Sequence, residues 1–204
     1  MSDDLRLLEA WRAGDRAAAR TLLDRYFPVL YRFFRNKVDG DIDDLVQATF
    51  MAATGASGEV HSSFRAWLLT IARHELYRHL RGLKRSRSEV EFDPAAHTVI
   101  DAGTSPSSAV AREERKRVLL EALRHLPAEL QLILELHYWE DLSTREIAEI
   151  ADIPQGTVKS RLRRARESLE ESIRALEHDP ARLQSTLANL DEWARDLREA
   201  HHDS

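Results

Sequence analysis

The sequence predicts an all-α protein in which two small helical domains are joined by a flexible linker and followed by a C-terminal amphipathic helix. Apolar residues recur at three- and four-residue spacing through most of the chain, as they do on one face of a helix. No stretch shows the strict polar–apolar alternation of a strand. Residues 84–107 instead combine prolines, a glycine and serines with acidic residues, a composition typical of a flexible linker.

The composition is that of a globular chain with one large or two small domains. The 204 residues are 43% hydrophobic and 32% charged, and no apolar run reaches the length of a membrane-spanning helix. The acidic start, Met-Ser-Asp-Asp, does not resemble a signal peptide. The sequence contains no cysteine, so disulfides and thiolate zinc sites are excluded. We therefore expect a cytoplasmic protein that does not insert into a membrane.

Positive charge is concentrated in two segments of a chain whose net charge is −5. Residues 73–87 and residues 154–166 each carry a net charge of +5, so the rest of the chain carries −15. This partition indicates two cationic surfaces that the average charge conceals, and such surfaces are typical of nucleic-acid binding.

Five helices are expected in the first domain, residues 1–83, because caps and breaks divide its apolar periodicity. In chain order they are a helix capped by Ser2 and ending near Gly14, a helix capped by Asp15, a helix restarted by Pro28 and running to Val38, Ile42–Ala53 opened by Asp41, and a long helix capped by Ser62 or Ser63 and ending near Gly82.

Residues 108–175 form the second predicted domain and include a helix-turn-helix. The first helix of this domain begins near Ser108. Ser143 and Glu146 have the spacing of a capping box, in which each side chain accepts a hydrogen bond from the other residue's backbone N–H. Asp152-Ile153-Pro154 then interrupts the helix. The helix that follows has an apolar stripe made of Val158, Leu162, Ala165 and Leu169.

The opposite side of that last helix is cationic. Between residues 154 and 166 the chain has five cations and no acid. A solvated surface helix is the simpler interpretation of a charge run. The capped first helix, the break and the one-sided charge together favour a helix that enters the major groove of DNA. The candidate DNA-binding residues are Thr157, Lys159, Ser160, Arg161, Arg163 and Arg164.

Residues 176–204 form a separate C-terminal extension. Asp179-Pro180 can start a helix, and leucines then recur so as to make it strongly amphipathic and net acidic. Three interpretations stay open: the helix packs back on its own domain, docks on a partner, or acts as an inhibitory flap. Its apolar residues are Leu183, Leu187, Leu190, Ala194 and Leu197.

We expect no metal site and no cofactor. Residues 74–79, HELYRH, resemble the zinc-binding HExxH motif, but the two histidines are five residues apart. On a helix this spacing turns them about 140° from each other, so one metal ion cannot bind both from one face. No phosphate-binding loop, nucleophile elbow or pair of catalytic carboxylates stands out. We therefore expect no enzymatic activity.

Several stretches resemble the sigma factors of bacterial RNA polymerase, most closely the two-domain extracytoplasmic-function (ECF) group of the sigma-70 family. Residues 41–50, DIDDLVQATF, are similar to the region that grips the polymerase clamp helices. Residues 64–73, FRAWLLTIAR, continuing to Arg81, are similar to the helix that reads and melts the −10 element. Residues 126–136 and 156–166 are similar to the −35-reading domain.

The resemblance implies a promoter-specific initiation factor whose partners are promoter DNA and core RNA polymerase, at its clamp helices and flap. An anti-sigma factor is a candidate regulator. The linker in this family threads the RNA exit channel, and the acidic linker of this chain fits that role. The polymerase-binding residues implied are Asp41, Asp44, Leu45 and Gln47, and those for the −10 element and melting are His61, Ser62, Arg73, His74, Arg78 and Arg81.

This sequence departs from the family's pattern at a few positions. Ala48 stands where the family usually has glutamate, His74 where asparagine is common, and Pro154 where serine often caps the recognition helix.

Two other functions remain open. A stand-alone helix-turn-helix repressor or activator predicts dimers and palindromic sites, but it leaves the 41–50 and 64–81 motifs unexplained. An anti-activator that sequesters a protein through its acidic surfaces is the third possibility.

Overall fold

The computed structural model describes residues 3–35, 37–38, 40–56, 63–87 and 110–176, with side chains up to residue 83 in the fourth stretch and from residue 117 in the last. These stretches contain eight α-helices and no strand, so the all-α prediction is confirmed. None of the helices found there is long and apolar enough to cross a membrane. The helices are α1 (Asp3–Arg12), α2 (Arg16–Arg35), α3 (Ile42–Gly55), α4 (Phe64–Arg87), α5 (Val110–Arg124), α6 (Ala128–Tyr138), α7 (Thr144–Ala151) and α8 (Gln155–Leu176).

Several predictions fall on residues outside those stretches. They concern the cap at Ser2, the loop residues His61 and Ser62, the linker beyond Arg87 and the C-terminal extension beyond Leu176. They stay predictions.

The chain folds into two compact units, of which the first is built from α1 to α4 and the second around α5, α6 and α8. In the first unit α1 packs on α2 and α3 packs on α4. Asp15 caps α2 as predicted, because its carboxylate accepts hydrogen bonds from the backbone N–H groups of Ala17 and Ala18, at 2.8 and 3.2 Å.

Arg12 fixes the end of α3, an interaction that no sequence pattern indicated. Its guanidinium donates to the backbone carbonyls of Ala53 at 2.9 Å and Thr54 at 3.1 Å. A cation at a helix C-terminus satisfies carbonyls that have no partner within the helix and interacts favourably with the helix dipole. The beginning of α3 is less tightly held, because Asp41 has a left-handed backbone (φ 52°) and its side chain makes no capping hydrogen bond.

The prediction that Pro28 separates two helices is wrong. Pro28 lies inside the continuous helix α2. Tyr26 and Leu30, on either side of it, are both buried in the core. Burial on both sides of the proline outweighs the one backbone hydrogen bond that its ring removes.

Gly82 does not end α4, which continues to Arg87. A glycine in a helix interior costs only about 1 kcal/mol relative to alanine. That cost is too small to stop a helix whose preceding turns, including Leu76 and Leu80, are buried in the core.

Helix α6 is the centre of the second unit. Every residue from Leu130 to Leu136 is buried, including Gln131 and Glu135. The Gln131 side-chain amide donates to the Glu135 carboxylate at 2.9 Å, which offsets part of the cost of burying both polar groups. Around α6 lies a leucine-rich core, which is supplied by α5 (Val118, Leu119, Ala122, Leu123), by Leu126 between α5 and α6, and by α8 (Ala165, Leu169, Ile173).

Candidate nucleic-acid interface

Helices α7 and α8 form the predicted helix-turn-helix, and its capping box is confirmed. The Ser143 backbone N–H donates to the Glu146 carboxylate at 2.9 Å, and the Glu146 N–H donates to the Ser143 hydroxyl oxygen at 3.3 Å. These two bonds satisfy donors that the first turn of α7 leaves without partners. The start of α7 is thereby fixed ahead of the turn that orients α8.

The turn between α7 and α8 is closed by backbone hydrogen bonds. Asp152 adopts the left-handed conformation (φ 54°), and the Ile153 N–H donates to the Ala148 carbonyl at 3.2 Å. This is the six-to-one bond of a Schellman motif. The Pro154 carbonyl then accepts from the N–H groups of Thr157 and Val158, at 2.8 and 3.1 Å, so Pro154 caps α8 through its backbone alone.

A side-chain bond that sequence reasoning missed joins the two helix starts. The Gln155 side-chain amide donates to the Thr144 hydroxyl at 2.8 Å. It adds to the rigidity of the turn, since Gln155 is the first residue of α8 and Thr144 the first of α7. The fixed angle between the two helices is what presents one face of α8 to a ligand.

The outward face of α8 is cationic, as predicted. Val158, Leu162, Ala165 and Leu169 are buried, whereas Lys159, Ser160, Arg163 and Arg164 are exposed. Arg163 pairs with Glu167 on the same helix at 3.2 Å, and both side chains are more than half exposed, so this pair is weak enough to exchange for DNA. Thr157, half-buried, lies at the edge of the face and accepts a hydrogen bond from the Ser160 hydroxyl on its backbone carbonyl at 2.9 Å.

Arg161 lies apart from the other candidate residues. Its guanidinium is 2.7 Å from the Glu129 carboxylate of α6, and the two side chains are 31% and 21% exposed. It therefore ties α8 to the centre of the second unit. Arg166 is exposed, and its guanidinium lies 5.2 Å from the centre of the Tyr138 ring. Charge spacing alone could not separate Arg161 from the exposed cations, because the flank of a helix borders both solvent and core.

The second cationic segment lies on α4. Arg78 and Arg81 are exposed, and Arg78 forms an ion pair with Glu75 one turn earlier. Arg73 lies 5.7 Å from the centre of the Tyr77 ring and is 3.1 Å from the ring nitrogen Nε2 of His74. Partial burial and the Arg73 charge lower the pKa of His74, which favours the neutral ring that accepts a hydrogen bond.

A groove of about 460 Å³ between α3 and α4 brings parts of two predicted sites together. Asp41 and Asp44, predicted to bind polymerase, line its α3 wall, and Arg78, predicted to bind the −10 element, lines the α4 wall. The α4 wall also includes Glu75, which forms an ion pair with Arg78. The exposed apolar residue Leu83 also lines the groove.

Leu45 differs from the other predicted polymerase-binding residues, because it lines the groove but is almost wholly buried. Its side chain is only 6% exposed, and it belongs to the core of the first unit. Asp41, Asp44 and Gln47 are exposed as expected. The exposed apolar residue of this surface is Met51, at 65%. The missed signal was its position seven residues after Asp44, which puts both on one face of α3.

Within the stretches that the structure describes, no cluster of three or more histidine or acidic side chains is arranged to hold a metal ion.

Comparisons with known proteins match both units. The family model for sigma-70 region 2 matches residues 18–86, and the model for sigma-70 region 4 matches residues 116–169. An ECF RNA polymerase sigma-E factor of Haemophilus influenzae is 32% identical over 192 residues, which cover 85% of this chain and 96% of the relative. The ECF RNA polymerase sigma-E factor of Escherichia coli K12 is 30% identical, with 83% and 94% covered.

Two solved structures share the fold. One is the sigma factor RpoE of Bartonella quintana in complex with the anti-sigma factor NepR, with a TM-score of 0.57, 29% identity, and 76% of this chain and 96% of that chain covered. The other is CnrH in complex with the cytosolic domain of CnrY, with a TM-score of 0.61, 25% identity, and 85% and 99% covered. Both functional regions are matched and the relatives are covered almost throughout, so the chain belongs to the sigma-70 family of RNA polymerase sigma factors, in its ECF group.

Proposed function

We propose that this chain initiates transcription as follows: the first unit binds core RNA polymerase and opens the −10 element, while α8 reads the −35 element. It is a promoter-specific initiation factor that works in the cytoplasm and carries out no catalysis itself. The observation that carries the proposal is the exposed cationic face of α8, held at a fixed angle by a capped α7 and a closed turn.

For the −35 element, we assign the reading to four exposed residues of α8, namely Lys159, Ser160, Arg163 and Arg164. Arg163 and Arg164 have the planar guanidinium that pairs in bidentate fashion either with a guanine edge or with a phosphate. Lys159 suits a phosphate, and Ser160 suits either a phosphate or a base. Arg161 supports them through Glu129, and Thr157 borders the face.

For the −10 element, the cationic side of α4 holds the separated strand. Melting requires an unstacked base to be captured, which costs a few kcal/mol, and the single-strand backbone to be neutralised. Arg78 and Arg81 are exposed and suited to phosphates, with Arg73 and His74 one to two turns earlier. His61 and Ser62, in the preceding loop, would contact the captured base.

For polymerase, we assign the clamp contact to the exposed face of α3. Asp41, Asp44 and Gln47 supply its polar groups, and Met51 supplies the apolar contact in place of Leu45. A flexible thioether suits a protein interface because it adapts to the partner's shape. The solved relatives bind the anti-sigma factor NepR and the cytosolic domain of CnrY, and we propose a protein inhibitor of this kind for this chain.

Run-off transcription with core polymerase tests the proposal. The template is the DNA upstream of the protein's own coding sequence, and the chain is compared with an Arg163→Ala, Arg164→Ala double variant. We expect transcripts that start at one position and depend on the chain, and their loss in the double variant. Arg174→Ala is the matched control, because Arg174 is an exposed arginine of α8 that lies outside the basic half. Binding to core without any transcript, or no binding to core, contradicts the proposal.

The stand-alone repressor makes a different prediction. It requires a dimer that binds palindromic DNA in the absence of polymerase. The mass of the chain in solution and the symmetry of its DNA footprint separate the two functions.

A further inference from the structure

Gln155, the first residue of α8, has an exposed side chain that α7 holds in place. The side-chain amide donates to the hydroxyl oxygen of Thr144, the half-buried first residue of α7, at 2.8 Å. A glutamine on a helix surface otherwise samples several rotamers, and ordering it costs conformational entropy. Because the bond to Thr144 already restricts these rotamers, the amide of Gln155 is oriented before any ligand binds.

Gln155 extends the exposed polar face of α8 to the start of the helix. It lies four residues before Lys159 and eight before Arg163, which puts the three exposed side chains on one side of α8. Gly156, the next residue, is exposed and has no side chain, so the backbone at the start of α8 can approach DNA closely. In a helix-turn-helix the N-terminal residues of the second helix contact base edges in the major groove. Gln155 therefore has the position of a base-reading residue.

The bond to Thr144 decides which base edge the amide can match. A glutamine side chain has two N–H groups and one carbonyl oxygen, so a bond from one N–H to Thr144 leaves one donor and one acceptor for a ligand. In the major groove adenine presents one acceptor, N7, and one donor, the N6 amine. Guanine presents two acceptors, cytosine only a donor, and thymine an acceptor and a methyl group. Adenine alone matches both remaining groups of the amide.

We propose that Gln155 reads an adenine of the −35 element and that Thr144 is the positioning residue that orients its amide. The carbonyl oxygen of Gln155 accepts from the adenine N6 amine, and the N–H that is not bound to Thr144 donates to N7. This assignment rests on the proposed function of α8. It adds a specificity that the cations of the same face do not supply, since arginine pairs with guanine or with a phosphate.

A purely structural role for the bond makes a different prediction. If the bond serves only to fix the turn between α7 and α8, its loss lowers the free energy of unfolding and weakens binding to every duplex alike. If Gln155 reads a base, its loss abolishes a preference at one base pair and leaves the preferences at the others. The base preference therefore distinguishes the two roles.

Selection of DNA from a random pool measures that preference. The full chain and its variants are each incubated with duplexes that contain about ten randomised base pairs, one turn of DNA, and the bound duplexes are sequenced. The unmodified chain should select adenine at one position over the other bases on the order of tenfold, as expected for a bidentate contact. Gln155→Ala should lose this preference and keep those at the other positions.

Two further substitutions test the chemistry of the contact. Thr144→Val keeps the shape of the side chain and removes the acceptor, so the adenine preference should fall, whereas Thr144→Ser keeps the hydroxyl and should keep the preference. Gln155→Glu has the same length but only accepts hydrogen bonds, so the preference should change from adenine to cytosine, whose N4 amine is a donor.

Arg163→Ala is the matched control on the same face. The eight residues between Gln155 and Arg163 correspond to a rise of about 12 Å, more than three base-pair steps of about 3.4 Å, so the two side chains reach different base pairs. Arg163→Ala should therefore keep the adenine preference. Loss of that preference in Arg163→Ala as well as in Gln155→Ala overturns its assignment to Gln155.

The remaining outcomes separate this proposal from the proposed function. If the unmodified chain and Gln155→Ala select the same sequence equally well, the reading by Gln155 is overturned while the function of α8 stands. If Gln155→Ala loses the adenine preference and Thr144→Val keeps it, the positioning role of Thr144 is overturned. If the unmodified chain selects no sequence at all, the proposed function of α8 is wrong and the reading by Gln155 falls with it.

Discussion

Two arginines of α8, two residues apart, have different surroundings, so replacing each of them should affect a different property of the protein. Arg163 is exposed and pairs only weakly with Glu167, whereas Arg161 is held by Glu129 with both side chains less than a third exposed. Arg163→Ala should weaken binding to a −35 duplex by about 1–3 kcal/mol, the range expected for a bidentate contact to a base. Arg161→Ala should instead lower the free energy of unfolding by about 1 kcal/mol. Titration with fluorescent DNA and urea denaturation, applied to both variants, measure the two effects, and an exchange of the two results would contradict the assignment.

Leu45 and Met51 are apolar residues of α3 that differ in burial, so their substitutions separate stability from polymerase binding. Leu45→Ala should destabilise the first unit by about 2–5 kcal/mol, because it leaves a cavity in the core. Met51→Ser should leave the fold intact, since that side chain is 65% exposed, and should weaken binding to core polymerase. Affinity for core, measured at a temperature at which both variants are folded, checks this. A Met51 variant that binds core like the unmodified chain would remove Met51 from the contact.

Tyr26 should make stability depend on alkaline pH. Burial and a 2.8 Å hydrogen bond donated to Asp4 raise the pKa of Tyr26 well above its ordinary value of 10.0. Because the pKa is higher in the folded than in the unfolded chain, the protonated phenol stabilises the fold fully at pH values below the unfolded-state pKa. This stabilisation is lost as the pH rises above about 10. Tyr26→Phe should therefore cost about 1 kcal/mol or somewhat more at neutral pH, and it should lose less stability than the unmodified chain between about pH 9 and pH 11. Urea denaturation across this range measures the difference, and parallel curves would contradict it.

At the scale of helices, the sequence predicted the caps better than the breaks. Asp15, Ser143 and Glu146 form the predicted hydrogen bonds, because a cap depends on a few neighbouring residues. Pro28 and Gly82 were predicted to end helices and did not, because packing along the whole helix outweighs one local cost. The same reason explains why the sequence did not indicate the burial of Leu45 and Arg161. A helical wheel places each residue near the border of a face, and only packing against the neighbouring helix decides whether it is buried.

Pro28 offers a test of that balance. Pro28→Ala restores a backbone hydrogen bond inside α2 and removes the clash of the ring with the preceding turn. We expect the free energy of unfolding of the first unit to rise, by up to about 3 kcal/mol. Denaturation in urea measures the free energy of unfolding. The control is the reverse change, Ala19→Pro, near the other end of α2, which removes the backbone hydrogen bond that Ala19 donates to the Asp15 carbonyl at 3.1 Å. A lower stability of Pro28→Ala would mean that the core requires a bend that only the proline provides.

At the scale of the whole molecule, the charge partition was the most reliable guide to function. A net charge of −5 argues against a DNA-binding protein, whereas two segments of +5 argue for one. Within α8 the structure separates the exposed Lys159, Arg163 and Arg164 from Arg161, which is held by Glu129, and that division is a property of packing. The likeness to sigma factors lies in short stretches of sequence, above all residues 41–50, 64–81 and 156–166, and the family matches confirm it.

The partition also predicts how DNA binding responds to salt. Lys159 and Arg164 are exposed, and neither has an ion-pair partner among the residues that the structure describes. If both contact phosphates, Lys159→Gln with Arg164→Gln should reduce the slope of log affinity against log salt by about 1.8, since each contact contributes about 0.9. Arg174→Gln on the same helix, whose arginine pairs with Glu170 at 3.5 Å, should leave the slope unchanged. If the slope of the double variant is unchanged while its affinity falls equally at every salt concentration, Lys159 and Arg164 read bases rather than neutralise the backbone. If the slope falls in both variants, the salt dependence reflects the charge of α8 as a whole.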